Sequence, residues 1–220
     1  MSLREIYLPI IILITVLFFI KAKQKFGFDF FLIFLIYLIS NFLVELSASF
    51  SVHYIGNNML LYNISILTEG LAFCYTFYYV NNSFLIKKII VISATSFLLF
   101  WVIDFCFMQK NNSLDTYSYL FSAINLATFS LITIYKFVFK NAFNNPFHNL
   151  FFWTSIGILF CYLGNIPYLA SINTLAVNNW KTYRMAISLN IISQVVNTIL
   201  YLMIIIGTIC HRPETNYKLE

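Results

Sequence analysis

The 220-residue chain is 60% hydrophobic and 20% aromatic, and only 10% of its residues are charged. Soluble domains average about 25% charged residues, so this chain lacks the polar surface to solvate a globule of its size, and the same deficit excludes disorder. Its net charge of +5 falls singly or in short groups between apolar runs. With no basic face and no nucleic-acid motif, that charge orients helices in a bilayer and excludes a nucleic-acid partner.

A hydrocarbon core of about 30 Å takes about 20 apolar residues per helix. Seven stretches qualify in chain order, at residues 6–20, 28–50, 59–80, 89–108, 119–140, 150–172 and 186–210. The first is short but is anchored by Tyr7 at one end and by Lys21, Lys23 and Lys25 at the other. Arg4 ahead of an apolar run also fits a signal peptide, yet no small-x-small cleavage site follows, which favours a retained helix. The links between spans are short and rich in Asn, as in Gly56-Asn57-Asn58 and Asn81-Asn82-Ser83. Asn favours turns by hydrogen-bonding its own backbone. The expected fold is therefore all-α: one polytopic membrane domain over residues 1–220, a seven-transmembrane-helix bundle.

Basic residues set its expected orientation. The first, third and fifth links and the tail carry Lys21, Lys23, Lys25, Lys87, Lys88, Lys136, Lys140, Arg212 and Lys218. The opposite side carries Arg4, Lys110, Lys181 and Arg184. The positive-inside rule then puts the N-terminus outside and the C-terminus in the cytoplasm.

Polar residues at membrane depth are costly and mark function by default. Glu45 in the second span and Glu69 in the third are the foremost candidates. Asp104, near the end of the fourth, leaves a functional role and simple reach to water equally open. Asn41 and Glu45 are spaced i,i+4 and share a helix face. Tyr62, Ser65, Glu69, Ala72 and Thr76 form a stripe on the third span, and Asn190, Gln194, Asn197 and Tyr201 one on the last. On the sixth, Trp153, Gly157, Cys161, Gly164, Asn165 and Tyr168 form a small-and-aromatic stripe that lets helices approach closely. Pro167 is expected to loosen that helix and free a carbonyl beside Asn165. At 1.5 Å per residue, Glu45, Asn63, Asp104, Asn125, Asn165 and Asn190 fall in the outer half, and Glu69, Gln194 and Asn197 near the midplane. Interhelical glue of about 0.6–2 kcal/mol per polar pair is the plainer role for any single Asn.

Several chemistries are excluded. His53, His148 and His211 lie in links or the tail on opposite sides, so neither a zinc site nor a serine triad can assemble at membrane depth. The last span has no Lys for a retinal Schiff base. Cys74, Cys106, Cys161 and Cys210 lie in or at the ends of spans without a CxxC, and read as packing residues. No metal and no cofactor is expected. One internal echo pairs Tyr37-Leu-Ile-Ser-Asn41 and Asn63-Ile-Ser with Tyr162-Leu-Gly-Asn165 and Asn190-Ile-Ile-Ser, as repeats in transporters do.

The run Asn57-Asn58 to Leu61-Tyr62-Asn63 with Glu69, followed by Phe152-Trp153, Gly157 and Tyr162-Leu-Gly-Asn165, resembles small seven-helix integral membrane proteins of the Bacteroidota. The resemblance covers nearly the whole chain and implies the helix number; it implies no particular activity. The residues themselves point first to a ligand-binding or sensor protein, or an accessory subunit, of a bacterial inner membrane. Its pocket faces outward and is lined by Glu45, Asn63, Glu69, Asn165, Asn190 and Gln194. The cytoplasmic links are short, so a signal must pass to a separate membrane or cytoplasmic protein, with membrane lipids around both. Two alternatives stay open: a small-solute transporter using Glu69 at the midplane, and a lipid-modifying enzyme using Glu45 and Glu69 as an acid/base pair.

Overall fold

Inside a bilayer every backbone N–H and C=O must be satisfied within the chain, so long apolar runs can only be helical. The computed structural model describes the backbone of residues 3–22, 28–54, 59–108, 114–139, 145–175 and 180–211. Among these residues it forms seven α-helices: α1 (Leu3–Ala22), α2 (Phe28–Tyr54), α3 (Met59–Val80), α4 (Phe84–Ile103), α5 (Thr116–Phe139), α6 (Leu150–Leu175) and α7 (Trp180–Cys210). A π-helical turn, Asp104–Met108, continues α4, and a 3-10 turn, Pro146–His148, precedes α6. Six of the helices are long and apolar enough to cross a membrane, and α1 contributes a shorter apolar stretch, Ile10–Ile20. The chain is an all-α, membrane-embedded protein.

The helix ends show why the links hold so many asparagines. Asn149 Oδ1 accepts the Phe151 N–H at 2.9 Å, and Asn145 Oδ1 accepts that of Phe147 at 3.0 Å. These bonds satisfy amides that have no partner inside the helix they open. The neighbouring Leu150 N–H goes to His211 Nδ1 at 3.3 Å, so this histidine of the tail is a buried cap that ties the end of α7 to the start of α6. Lys136, counted above among the link charges, is likewise buried in the last turn of α5. Pro167 lies inside α6, which runs on to Leu175.

The helices α1, α2, α3, α5, α6 and α7 each pack on the next, and α7 returns to α1, so six of them close a ring. Helix α4 lies outside that ring, against α3 and α5. Most of its side chains, Phe84, Leu85, Ile89 and Leu99 among them, face outward. Helices in lipid gain little from apolar burial and associate through close packing and interhelical polar contacts. Here the packing is largely aromatic. Phe30 on α2 meets Phe151 on α6 edge-on at 5.1 Å, Tyr37 meets Phe73 at 5.0 Å, and Phe73 meets Tyr162 at 6.1 Å. Such pairs contribute about 0.5–1.5 kcal/mol each beyond their contact area. They link α2, α3 and α6 through the middle of the ring.

Candidate functional site

One polar cluster stands in that aromatic interior. Glu69, halfway along α3, receives a hydrogen bond from the Tyr162 hydroxyl of α6 and lies within electrostatic range of Glu45 on α2. Tyr37 of α2, Tyr119 of α5 and Cys161 of α6 also sense its charge. Tyr201 of α7 adjoins Tyr37. Five helices thus contribute residues to the cluster. Glu45 and Glu69 are half-buried, whereas Tyr37, Tyr119, Cys161 and Tyr162 are buried.

Two seams hold the cluster in shape. Across α2–α3, Ser65 Oγ donates to Asn41 Oδ1 at 3.0 Å. Across α6–α7, Asn197 Oδ1 accepts from Asn165 Nδ2 at 2.8 Å and from Cys161 Sγ at 3.0 Å. Cys161 therefore takes part in the polar seam and is more than a packing residue. Among the described residues these bonds leave three buried polar atoms of the two seams and their surroundings with no partner, Tyr37 Oη, Asn41 Nδ2 and Asn165 Oδ1, and others stand elsewhere in the bundle. Each of the three residues is at most 5% exposed. An unsatisfied buried polar atom costs about 1–3 kcal/mol; of the three, Tyr37 lies within electrostatic range of Glu69, Asn41 holds Ser65 one turn from it, and Asn165 sits beside Tyr119 and Cys161.

The residues expected from sequence distribute unevenly. Glu45, Glu69 and Asn165 belong to the cluster. Gln194 is half-buried on α7, one turn before Asn197. Asn190 falls on α7, but its side chain lies outside the described residues. Asn63 serves a different junction: its Oδ1 accepts the Asp115 N–H at 2.9 Å, and its carbonyl accepts from Trp101 Nε1 at 3.1 Å. The cluster also contains Tyr37, Tyr119 and Tyr162, which the pocket outlined from sequence lacked. Their signal was present in part, since Tyr37 precedes Asn41 by one helical turn and Tyr162 adjoins Cys161.

Asn63 belongs to a bracket that fixes the α4–α5 connection. Asp104 opens the π-helical turn and is fully buried, far from the water that its place near a helix end suggested. Its Oδ2 accepts both the backbone N–H of Ser118 at 2.9 Å and the Ser118 hydroxyl at 2.6 Å. Asp115, just ahead of α5, is buried as well. Burial first, and the Asp104 charge second, push its carboxyl from 3.8 up to about 6. The fold then holds this proton more tightly than the unfolded chain does. The contribution of Asp115 is most favourable at low pH and declines as pH rises through its folded value. We expect the melting temperature of the detergent-solubilised protein to fall between about pH 4 and pH 6, and the fall to shrink in Asp115→Asn. Equal pH profiles for the two proteins contradict this account.

No family model, curated protein or solved structure matches the chain. The reading of its function rests on the geometry of the site.

Proposed function

We propose that this chain is an integral membrane ligand-binding protein, a sensor or accessory subunit of a bacterial inner membrane, with its pocket around Glu69. The observation that carries the reading is the set of buried atoms without a partner among the described residues, Tyr37 Oη, Asn41 Nδ2 and Asn165 Oδ1, on α2 and α6, the helices that also bring Glu45 and Tyr162 to Glu69. Small-molecule sites are mostly apolar enclosures with a few convergent polar groups, and the aromatic ring with its polar centre has that character. The basic residues support an outside N-terminus, so the pocket opens toward the links that follow α2, α4 and α6. The short cytoplasmic links support output through a separate protein.

Access to the pocket is testable by thiol labelling in a background where the native cysteines are replaced by serine. Ser65 lies one turn from Glu69 on the cluster side of α3, whereas Ile64 is 42% exposed on the bundle exterior. A small membrane-impermeant thiosulfonate added outside intact cells is expected to modify Ser65→Cys and to spare Ile64→Cys. An inert Ser65→Cys, or labelling of both alike, overturns the pocket.

A further inference from the structure

We propose that the α4–α5 junction is a proton-operated latch, in which one proton carried by the Asp104–Asp115 pair holds the end of α4 against the start of α5. Asp115 is the N-cap of α5, since its carbonyl accepts the first intrahelical bond, from the Tyr119 N–H at 3.1 Å. An N-cap aspartate ordinarily accepts the amide two or three residues ahead with its own carboxylate. In this junction the third amide, that of Ser118, goes to Asp104 Oδ2, together with the Ser118 hydroxyl. Asp104 thus takes over the capping role from another helix, while Asp115 is held by its backbone N–H on Asn63 Oδ1. The two acids are 0% and 1% exposed. Among the described residues each keeps one buried oxygen, Asp104 Oδ1 and Asp115 Oδ2, with no hydrogen-bond partner.

A helix start favours one anion through its free amides and its dipole, and Asp104 already occupies that place through Ser118. A second buried carboxylate within range of the first is costly unless it takes a proton. Among the described residues, Asp104 carries the charge that Asp115 senses. The other titratable groups on the surrounding elements stand apart from it. Tyr62 of α3 is half-buried beside Asn63, and Tyr168 of α6 is half-buried too. Cys106 of the π-helical turn and Tyr117 of α5 are exposed. Tyr119, with Cys161 and Tyr162 of α6, belongs to the Glu69 cluster. As pH rises through about 6, Asp115 releases its proton, and two like charges then share one bracket. That bracket ties α4 to the ring, because the Trp101 bond to the Asn63 carbonyl and the Phe100–Phe121 stack at 5.5 Å stand beside it. The π-helical form of the turn that begins at Asp104 is rare and concentrates at functional sites. The latch is closed below about pH 6 and loosens above it.

Two measurements on the full chain in detergent test the latch, and neither depends on the Glu69 pocket. Infrared difference spectra between about pH 5 and pH 8 show which carboxylic acids lose a proton. The wild type is expected to lose a carboxylic acid band with its midpoint near pH 6, and Asp115→Asn to lack that band. In Asp104→Asn the midpoint is expected to fall but to stay above 3.8, because the burial of Asp115 outlasts the neighbouring charge. The second measurement is the fluorescence of Trp101 alone, with Trp153 and Trp180 replaced by Phe. Its emission is expected to move to longer wavelength as pH rises through 6 and to stay fixed in Asp115→Asn. Asp104→Asn, which removes the like charge, is expected to flatten the shift also and serves where Asp115→Asn does not fold. Identical infrared differences in the wild type and Asp115→Asn overturn the shared proton, as does a wild type that loses no carboxylic acid band over this range. A proton released near pH 6 with Trp101 unmoved overturns the latch, and so does a Trp101 shift that persists in Asp115→Asn.

Discussion

Gly157→Leu is expected to be among the most damaging substitutions in the chain, because it forces apart the helices that carry one wall of the site. A Cβ at Gly157 would lie 3.0 Å from Met203 Cβ, 3.1 Å from Leu200 Cδ1 and 3.2 Å from the Leu200 Cα. The last of these is backbone, which no rotamer change can move aside. Gly164, two turns along α6, would instead meet only side-chain atoms, Val196 Cγ1 at 2.6 Å and Cβ at 3.3 Å, on a β-branched residue with little rotamer freedom in a helix. Overpacking typically costs about 1–3 kcal/mol, and Gly157→Leu belongs at the upper end. Gly164→Ala adds a single carbon and is expected to cost about 1–2 kcal/mol on the same scale. The seam opened by Gly157→Leu also carries the bonds of Asn165 and Cys161 to Asn197. Ligand binding should therefore fall along with stability, whereas Gly164→Ala should keep binding. Thermal melting in detergent reads the first and thiosulfonate labelling of Ser65→Cys in each background the second; equal melting for Gly157→Leu and Gly164→Ala refutes the ranking.

This close seam was legible beforehand in the small residues spaced along α6, and the reason is simple. A bilayer removes every alternative to the helix, so an apolar run of sufficient length fixes the secondary structure directly. Helix α3, Met59–Val80, lies where its apolar run lies. Helix α4 begins at Phe84, ahead of Lys87 and Lys88, although a span read from apolar residues alone starts after them. Lys87 sits 4.8 Å over the Tyr78 ring, and a long basic side chain can lie along an apolar surface with its charge toward the interface. Hydropathy discards such residues, but a helix does not need to.

The order of helices around the ring was not legible. Spacing along one helix tells which residues share a face, but it does not say which helix that face meets. Asn41 and Asn63 both read as amides at like depth in one hairpin, yet Asn41 bonds Ser65 while Asn63 binds the backbone of Asp115. The tyrosines of the site were hidden for a related reason. In a chain where one residue in five is aromatic, a tyrosine beside a carboxylate looks like any other packing residue. Only the placement of α3 against α5 and α6 marks Tyr119 and Tyr162 as different from Tyr78 at the surface.

Asp104 shows the same limit and supports the second large effect. Its partner Ser118 is fourteen residues away, across a link and a helix start, beyond the reach of any helical spacing rule. Removing the carboxylate in Asp104→Ala leaves the Ser118 amide and hydroxyl buried without their acceptor. An orphaned buried donor costs about 1–3 kcal/mol, and the lost attraction between the carboxylate and the positive end of the α5 dipole adds about 0.3–1 kcal/mol. The expected total is about 3 kcal/mol. Asp104→Asn keeps an oxygen acceptor of the same shape and should lose only the charge-assisted part. Ser118→Ala keeps the backbone bond and should cost about 1 kcal/mol. The order of melting temperatures should therefore place Asp104→Ala lowest, with Asp104→Asn and Ser118→Ala between it and the wild type. If Asp104→Asn melts as low as Asp104→Ala, the hydrogen-bond geometry is not what secures the start of α5, and charge alone carries the effect.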